Sequence, residues 1–210
     1  MLEWLALYVS FKQMSLAEED RISSMANKVR DLHRDLDHAI SDFQDASGLH
    51  CLFGCGKCCL KPDIEATPLE FLPLAESLFR EGKAVEWMDT VLNEGPVCKV
   101  FNKEQGGAGK CSRYADRGMI CRLFGYSARK NKYGRKEILT CSIIKEEQTG
   151  SFQNASDAVN AELNIPMATD YYTRLSGIDP DLGGALLPIN QAIHRALEVV
   201  VSYYHYRSNS

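Results

Sequence analysis

All eight cysteines of this chain, Cys51, Cys55, Cys58, Cys59, Cys98, Cys111, Cys121 and Cys141, fall between positions 51 and 141 of 210. Cysteine used as a small buried hydrophobe, or as half of a disulfide, scatters through a fold. Confinement to one segment points instead to thiolates that converge on something. Four of the eight stand in the run Cys51-Leu52-Phe53-Gly54-Cys55-Gly56-Lys57-Cys58-Cys59.

A chain of 210 residues buries a hydrophobic core that needs no covalent staples, so small size does not explain the cysteines. Their overall share is about 4%, below the roughly 8–10% of a disulfide scaffold, and only the segment itself is cysteine-dense. Residues Met1 to Phe11 are apolar, but Glu3 interrupts them, no basic region precedes them and no small-residue cleavage site follows, which argues against a signal peptide. No uninterrupted apolar run approaches the roughly 18 residues that span a bilayer. The expectation is a soluble, cytoplasmic protein without a membrane partner, where thiols stay reduced and dense cysteines bind metal or do chemistry.

Net charge is −4, which gives no general reason to bind nucleic acid. The distribution is uneven: Lys110, Arg113, Arg117, Arg122, Arg129, Lys130, Lys132, Arg135 and Lys136 are opposed between them only by Asp116. That stretch overlaps the cysteines. It reads either as a solvated basic loop or as cations that offset an anionic metal–thiolate centre or attract an anionic partner.

Apolar residues at Leu16, Ile22, Met25, Val29, Leu32, Leu36, Ile40 and Phe43 predict a long amphipathic helix over 15–45. Ser15 and Glu18 are its candidate capping pair, Trp4, Leu5, Tyr8 and Phe11 extend the spacing towards Leu2, and Gly48 is its stop. Thr67-Pro68-Leu69-Glu70 has a cap, proline at the first helical position and glutamate at the third, and so predicts a helix start running to Gly82. A shorter helix follows from Ala84 to Asn93, a strand over Val97–Phe101, and a turn at Gly106-Gly107-Ala108-Gly109. A hairpin is predicted from Leu123 to Cys141 with its tip at Asn131–Gly134. Three helices close the chain, over Ser156–Leu163, Met167–Leu175 and Asp181–Tyr206. The fold class is therefore mainly α, with long N- and C-terminal helices packed around an irregular cysteine-rich, metal-binding centre that carries a short β-hairpin. The reading is one domain over 1–210, with a cysteine-cluster module at 51–141 and a helical scaffold at 1–47 and 152–206.

Cys55-Gly56-Lys57-Cys58 is a Cys-x-x-Cys, a separation that lets two thiolates grip one metal from a tight turn. Gly54 and Gly56 suit such a turn. Thioredoxin-like redox sites share the spacing but sit in a βαβ unit, which this helical context does not resemble. Cys59 beside Cys58 conflicts with a simple mononuclear finger, because adjacent side chains diverge; two sites or a polynuclear cluster relieve the conflict. Eight thiolates satisfy two tetrahedral zinc sites, or one cubane iron–sulfur cluster with four left over. Cys141, between Thr140 and Ser142, is the cysteine that packing alone explains best. His33, His38, His50, His194 and His205 are alternative ligands, of which only His50 adjoins a cysteine. The Tyr203-Tyr204-x-Tyr206 run is read as packing on the N-terminal helix rather than as base stacking.

The spacing Cys51-x-x-x-Cys55-x-x-Cys58-Cys59, the Thr67-Pro68-x-Glu70 start and the segment Cys111-x-x-Tyr114-x-x-Arg117-x-x-x-Cys121-Arg122-x-Phe124 resemble the YkgJ-type cysteine-cluster proteins. That family is characterised by a zinc- or iron-chelating domain and includes flagellin lysine N-methylases. The resemblance covers about 51 to 141 and departs at Gly118, where the family has proline, a change expected to loosen the turn before Cys121. It implies metal or iron–sulfur binding and, more weakly, methyl transfer; the candidate ligands are the eight cysteines. Arg117 and Arg122, which bracket Cys121, are the candidate cofactor-binding side chains, donating N–H to thiolate or partner. Three functions stay open at this point: a metal-binding module, a protein-modifying enzyme of lysine N-methylase type acting on a protein partner, and nucleic-acid binding through residues 110–136, which the acidic chain disfavours.

Overall fold

The computed structural model describes residues 20–52, 54–103 and 109–208. The capping pair Ser15 and Glu18, the extension through Trp4, Leu5, Tyr8 and Phe11, and the tip at Gly106, Gly107 and Ala108 lie outside the described residues.

Helix α1 (Arg21–Ser47) starts at Asp20, whose carboxylate accepts from the Ser23 N–H (2.8 Å), and stops at Gly48, which turns left-handed at φ 69° and donates to the Gln44 carbonyl. The aspartate fills one orphan donor of the first turn and the glycine takes up a last-turn carbonyl. Its stripe of Ile22, Met25, Val29, Leu32, Leu36, Ile40 and Phe43 is buried, as the period predicts. The Thr67–Glu70 start is also realised: the Glu70 carboxylate accepts from the Thr67 N–H (2.7 Å) and hydroxyl (3.1 Å). A 3₁₀ turn, Leu69–Phe71, then leads into α2 (Leu72–Arg80). Helix α3 (Ala84–Thr90) continues as a 3₁₀ turn through Glu94.

Among the described residues three antiparallel strand pairs punctuate the helices. β1 (Glu65–Ala66) pairs with β6 (Leu187–Pro188), β2 (Phe101–Lys103) with β3 (Gly109–Cys111), and β4 (Ser127–Lys130) with β5 (Lys136–Leu139). The predicted strand over Val97–Phe101 is displaced to Phe101–Lys103. The reason is Asn190, whose amide donates to the carbonyls of Gly95 and Val97 and accepts from the Lys99 N–H, so the backbone there is bonded to a side chain rather than to a ladder. Leu123, predicted at the start of the hairpin, closes a short helix α4 (Met119–Leu123) instead. The hairpin tip falls at Asn131–Gly134 as predicted, with Gly134 at φ 79° and the Asn131 side chain accepting from Tyr133 and Arg135.

After β5 the chain forms α5 (Ser142–Glu147), α6 (Thr149–Ala161), α7 (Ala168–Ser176) and α8 (Pro180–Gly184), then α9 (Ile189–Ser208). The single helix predicted from Asp181 is thus broken at 185–188. Proline at 188 has no N–H to continue a helix, and Leu187–Pro188 pairs with β1 instead.

Helix α9 packs on α2 and α3, and α1 packs on α2, so the main core lies among these four. Tyr204 of α9 stacks on Phe79 with centroids 4.5 Å apart and donates its hydroxyl to Asp20 (2.9 Å). The tyrosine run therefore packs near the start of α1, with Tyr206 left exposed. A second cluster, built on Phe43, Leu49, Ala128, Ile138, Ile144, Ala155, Val159 and Ile165, lies under the hairpin and α6.

Glu76, fully buried on α2, bonds Arg30 of α1 (2.7 Å), Arg80 (2.6 Å) and the Ser23 hydroxyl (2.6 Å). Burial alone would raise its pKa; the hydroxyl and the two guanidiniums outweigh burial and hold it below the ordinary value. Glu76→Ala leaves Arg30 without its buried partner, and a loss of about 3 kcal/mol in urea unfolding is expected. The sign of the pH dependence follows from the lowered value. The wild-type contribution is full above the unfolded carboxyl's pKa and is lost as pH falls through the folded one, so the acid limb of stability should be flatter in the variant.

Candidate metal centre

The cysteines lie on four separate stretches, with Cys98, Cys111 and Cys121 packed against the main core and Cys141 against the second cluster. The first runs from Gly48 through the 3₁₀ turn Lys57–Leu60, with Gly54 and Gly56 both left-handed at φ 70° and 56°. The second is the β2–β3 pair: Phe101 stands opposite Cys111, and the Phe101 N–H donates to the Cys98 carbonyl (3.0 Å), so Cys98 and Cys111 approach across the ribbon. The third is α4, which carries Cys121. The fourth is the end of the hairpin, where Cys141 caps α5 rather than lying on the strand.

Backbone contacts lock the first stretch to the second. Gly109 donates to the Gly54 carbonyl (3.1 Å), and a Cβ on Gly56 would stand 2.6 Å from both the Gly109 carbonyl oxygen and the Phe101 ring. The first stretch is also held to α5 and α6. His50 donates its N–H to the Gln148 amide oxygen (3.1 Å) while its own carbonyl accepts from the same amide (2.6 Å). His50 is exposed, with its ring nitrogen 3.1 Å from the Gly48 carbonyl. His33 is buried, and burial followed by the nearby Arg122 charge lowers it to about 3, so it is a neutral core imidazole.

Glu70, read from the sequence only as a helix cap, also holds the third stretch. Its second oxygen accepts from the Ile120 N–H (2.7 Å), filling an orphan donor in the first turn of α4. Burial pushes this carboxyl up to about 7 against those bonds. Gly118 is explained by the same contact. A Cβ there would meet the Glu70 carboxylate and the Phe71 ring, both at 2.8 Å, so the glycine lets this turn close onto Glu70 rather than loosening it. Nothing in the sequence signals that second bond, which spans fifty positions.

Asp37 of α1 was equally silent in the sequence. It pairs with both Arg117 (3.4 Å) and Arg122, and the buried Arg122 further donates to the carbonyls of Ala115 (2.7 Å) and Arg117 (3.2 Å). Arg122 thus clamps the loop between Cys111 and Cys121 to α1. Arg117 stacks on Tyr114 (4.0 Å) and keeps one donor, Nε, buried without a hydrogen-bond partner. Its charge acts on Cys58 and Cys111. Arg113 is taken up by Glu81 at 2.5 and 2.6 Å, and Arg129 by Glu137 at 3.5 Å. Within the basic stretch Arg113, Arg117 and Arg122 pair with Glu81 and Asp37, whereas Arg129, Lys130, Lys132, Arg135 and Lys136 lie on the hairpin.

Cys51 and Cys58 are exposed and the other six thiols are partly buried; all eight are free. The Cys58 and Cys59 sulfurs stand 4.0 Å apart, and their mutual hydrogen bond lowers Cys58 to about 6 while raising Cys59. Burial pushes Cys98 up to about 11 and raises Cys121 and Cys111 as well. Among the described residues no three His, Cys, Asp or Glu side chains stand at the spacing of a formed metal site. The donor set nonetheless fits a thiophilic centre: soft sulfur ligands on four tethered loops, with an unpaired buried guanidinium donor beside them.

Beside α4 a cavity of about 510 Å³ is lined by Asp63, Glu65, Thr67, Ile120, Tyr172 and Ser176, among others. Among the described residues no helix is long and apolar enough to cross a membrane.

Residues 50–151 match the family model described as "CxxCxxCC: Putative zinc- or iron-chelating domain". No curated protein and no solved structure matches the chain.

The geometry separates the two glycines of the first stretch. Gly54→Ala meets only backbone strain, about 1 kcal/mol, because nothing lies within 4 Å of its Cβ. Gly56→Ala meets the same strain and a collision with Gly109 and Phe101. A larger fall in melting temperature and in metal content is expected for Gly56→Ala than for Gly54→Ala, read by calorimetry and elemental analysis.

Proposed function

We propose, from the match of residues 50–151 to the model of a zinc- or iron-chelating domain, that this protein binds a thiolate-ligated metal centre through Cys51, Cys55, Cys58, Cys59, Cys98, Cys111, Cys121 and Cys141. The observation that supports the reading is that the first cysteine stretch is bonded to the β2–β3 ribbon through Gly109–Gly54 and to the start of α6 through His50–Gln148, while Glu70 holds the start of α4, which carries Cys121. The centre is zinc or an iron–sulfur cluster, and both use sulfur ligands in fours. Thiols held protonated by burial release protons when metal binds, so affinity falls as the medium becomes more acid. Arg117, with its buried unpaired Nε, is the side chain best placed to compensate thiolate charge; Arg122 positions the loop. Residues 51–141 act as the metal-binding module and the helices on either side as its support.

A second reading, a protein-modifying enzyme of lysine N-methylase type, draws on the cavity beside α4. Tyr172 lines it and lies close enough to Glu70 and Cys121 to be raised by their charge after burial. Asp63 and Glu65 on its wall suit a cationic side chain from a protein partner. Nucleic-acid binding is the weakest reading, because Glu81, Asp37 and Glu137 already pair four of the basic residues.

Anaerobic purification followed by elemental analysis and an absorption spectrum tests the first reading. Broad visible absorption with iron identifies a cluster, zinc in a colourless protein identifies a zinc site, and metal-free protein refutes the proposal. Cys55→Ser and Cys58→Ser should each lower metal content. Arg117→Ala should weaken metal retention under a chelator, whereas the triple change of Lys130, Lys132 and Lys136 should leave it unchanged. Salt-sensitive oligonucleotide binding, abolished by that triple change, would favour the nucleic-acid reading instead.

A further inference from the structure

We infer that Tyr126 is a positioning residue of the metal–thiolate centre, its phenol O–H donating to the thiolate of Cys51 when metal is bound. This rests on the metal-binding reading and deepens it, by naming a side chain other than cysteine or arginine that the centre uses.

Buried polar atoms in a folded chain nearly all find a partner, so each exception needs a physical reason. Among the described residues five side-chain atoms are buried without a hydrogen bond. Two belong to the helical core: Glu76 Oε2, which faces the Arg30 guanidinium at 2.7 Å, and His33 Nε2. The other three, Arg117 Nε, Tyr126 Oη and Thr140 Oγ1, fall inside the cysteine segment. Each of these three has an N–H or O–H to donate, so together they call for an acceptor. A neutral thiol is a weak acceptor, whereas a thiolate accepts with a full negative charge.

Two of the three stand at one place. Gly125, at φ 110°, donates its N–H to the Leu139 carbonyl (2.7 Å), and Tyr126 and Thr140 follow these two residues, so both lie at the open end of the β4–β5 hairpin. The Tyr126 ring packs against both hydrophobic clusters, and its N–H donates to the Leu123 carbonyl (3.3 Å) at the end of α4. The second of those clusters also contains Leu49, two residues before Cys51, and carries Cys141 on its edge. Cys51 and Gln44 neighbour the phenol, yet neither the Cys51 backbone nor the Gln44 amide completes a hydrogen bond to it. Thr140 is next to Cys141 in the chain, where neighbouring side chains diverge; Tyr126 has no such constraint towards Cys51.

Metal binding removes the thiol proton and leaves charge on sulfur. The phenol then has its acceptor and keeps its own proton, so no covalent bond changes. Hydrogen bonds to a ligating sulfur fix its orientation and stabilise its charge. The consequence is a difference of sign. In the metal-free chain Tyr126→Phe removes an unsatisfied buried group and keeps the ring, which leaves stability equal or higher. In the loaded protein the same change removes a donor to the centre. A hydroxyl that merely bonded Gln44 or supported packing would instead stabilise the metal-free chain and leave metal release untouched.

The test compares full-length wild type, Tyr126→Phe and Tyr133→Phe, each isolated anaerobically with its metal. Tyr133, 77% exposed at the hairpin tip, controls for the loss of a phenol. Transfer of metal to a chelator gives the release rate, alkylation located by mass spectrometry gives the rate at which Cys51 is freed, and melting after metal removal gives the stability of the metal-free chain. Tyr126→Phe should release metal and free Cys51 about tenfold faster than wild type, with a metal-free melting temperature no lower. Tyr133→Phe should match wild type in all three. Release or Cys51 labelling at the wild-type rate, a lowered metal-free melting temperature in Tyr126→Phe, or equal acceleration in Tyr133→Phe would each overturn the assignment. A wild-type chain that holds no metal refutes the metal-binding reading itself, whereas metal held equally well by wild type and Tyr126→Phe refutes only the part given to Tyr126.

Discussion

One buried carboxylate joins the helical part of this molecule to its cysteine loops. Glu70 spends one oxygen on Thr67, starting the turn that leads into α2, and the other on Ile120, starting the helix that carries Cys121. Two helix starts distant in sequence are thereby referred to one side chain. The arrangement requires close approach, and Gly118 provides it by presenting no Cβ to the carboxylate or to Phe71. A buried carboxyl with three donors aimed at it is costly to leave half-satisfied, so the cap and the cysteine helix depend on each other.

Asp37 does the corresponding work from α1. Its two oxygens hold Arg117 and Arg122, and Arg122 passes the constraint on to the carbonyls of Ala115 and Arg117. The loop between Cys111 and Cys121 contains little regular structure, so its shape is set by these side chain–backbone bonds rather than by a ladder. A basic stretch that looks in sequence like a field for an anionic partner is, at its inner end, largely consumed by such internal pairing.

The helices were legible because their signals are local. The period of Ile22 through Phe43, the stop at Gly48, the Thr67–Glu70 start and the Asn131–Gly134 tip each depend on residues within a few positions, and each appears where the pattern puts it. The misplacements have non-local causes. Asn190 took the backbone of 95–99 out of the predicted strand from ninety positions away, and β1 captured Leu187–Pro188 and broke the last helix. At the candidate site the cysteines announced themselves by spacing, whereas Glu70, Asp37 and Gln148, which position them, did not. Their partners lie 50 to 98 positions distant, and an acid on a helix face reads as an ordinary surface charge until that partner is known.

The same distinction bears on why a metal suits this centre. Helices α1, α2, α3 and α9 bury continuous apolar stripes against one another and are stabilised by that burial. The cysteine stretches have no such stripe; they are joined to one another by a few polar contacts, several of them exposed, such as His50 with Gln148. Closing four irregular segments carries a conformational-entropy cost that so few bonds offset only in part. On the proposed reading, metal–thiolate bonds would supply what apolar burial does not, and the free energy of binding would become free energy of local folding. A chain large enough to need no staple for its core would, on that reading, need one for its loops, in keeping with eight cysteines between positions 51 and 141 and none on either side.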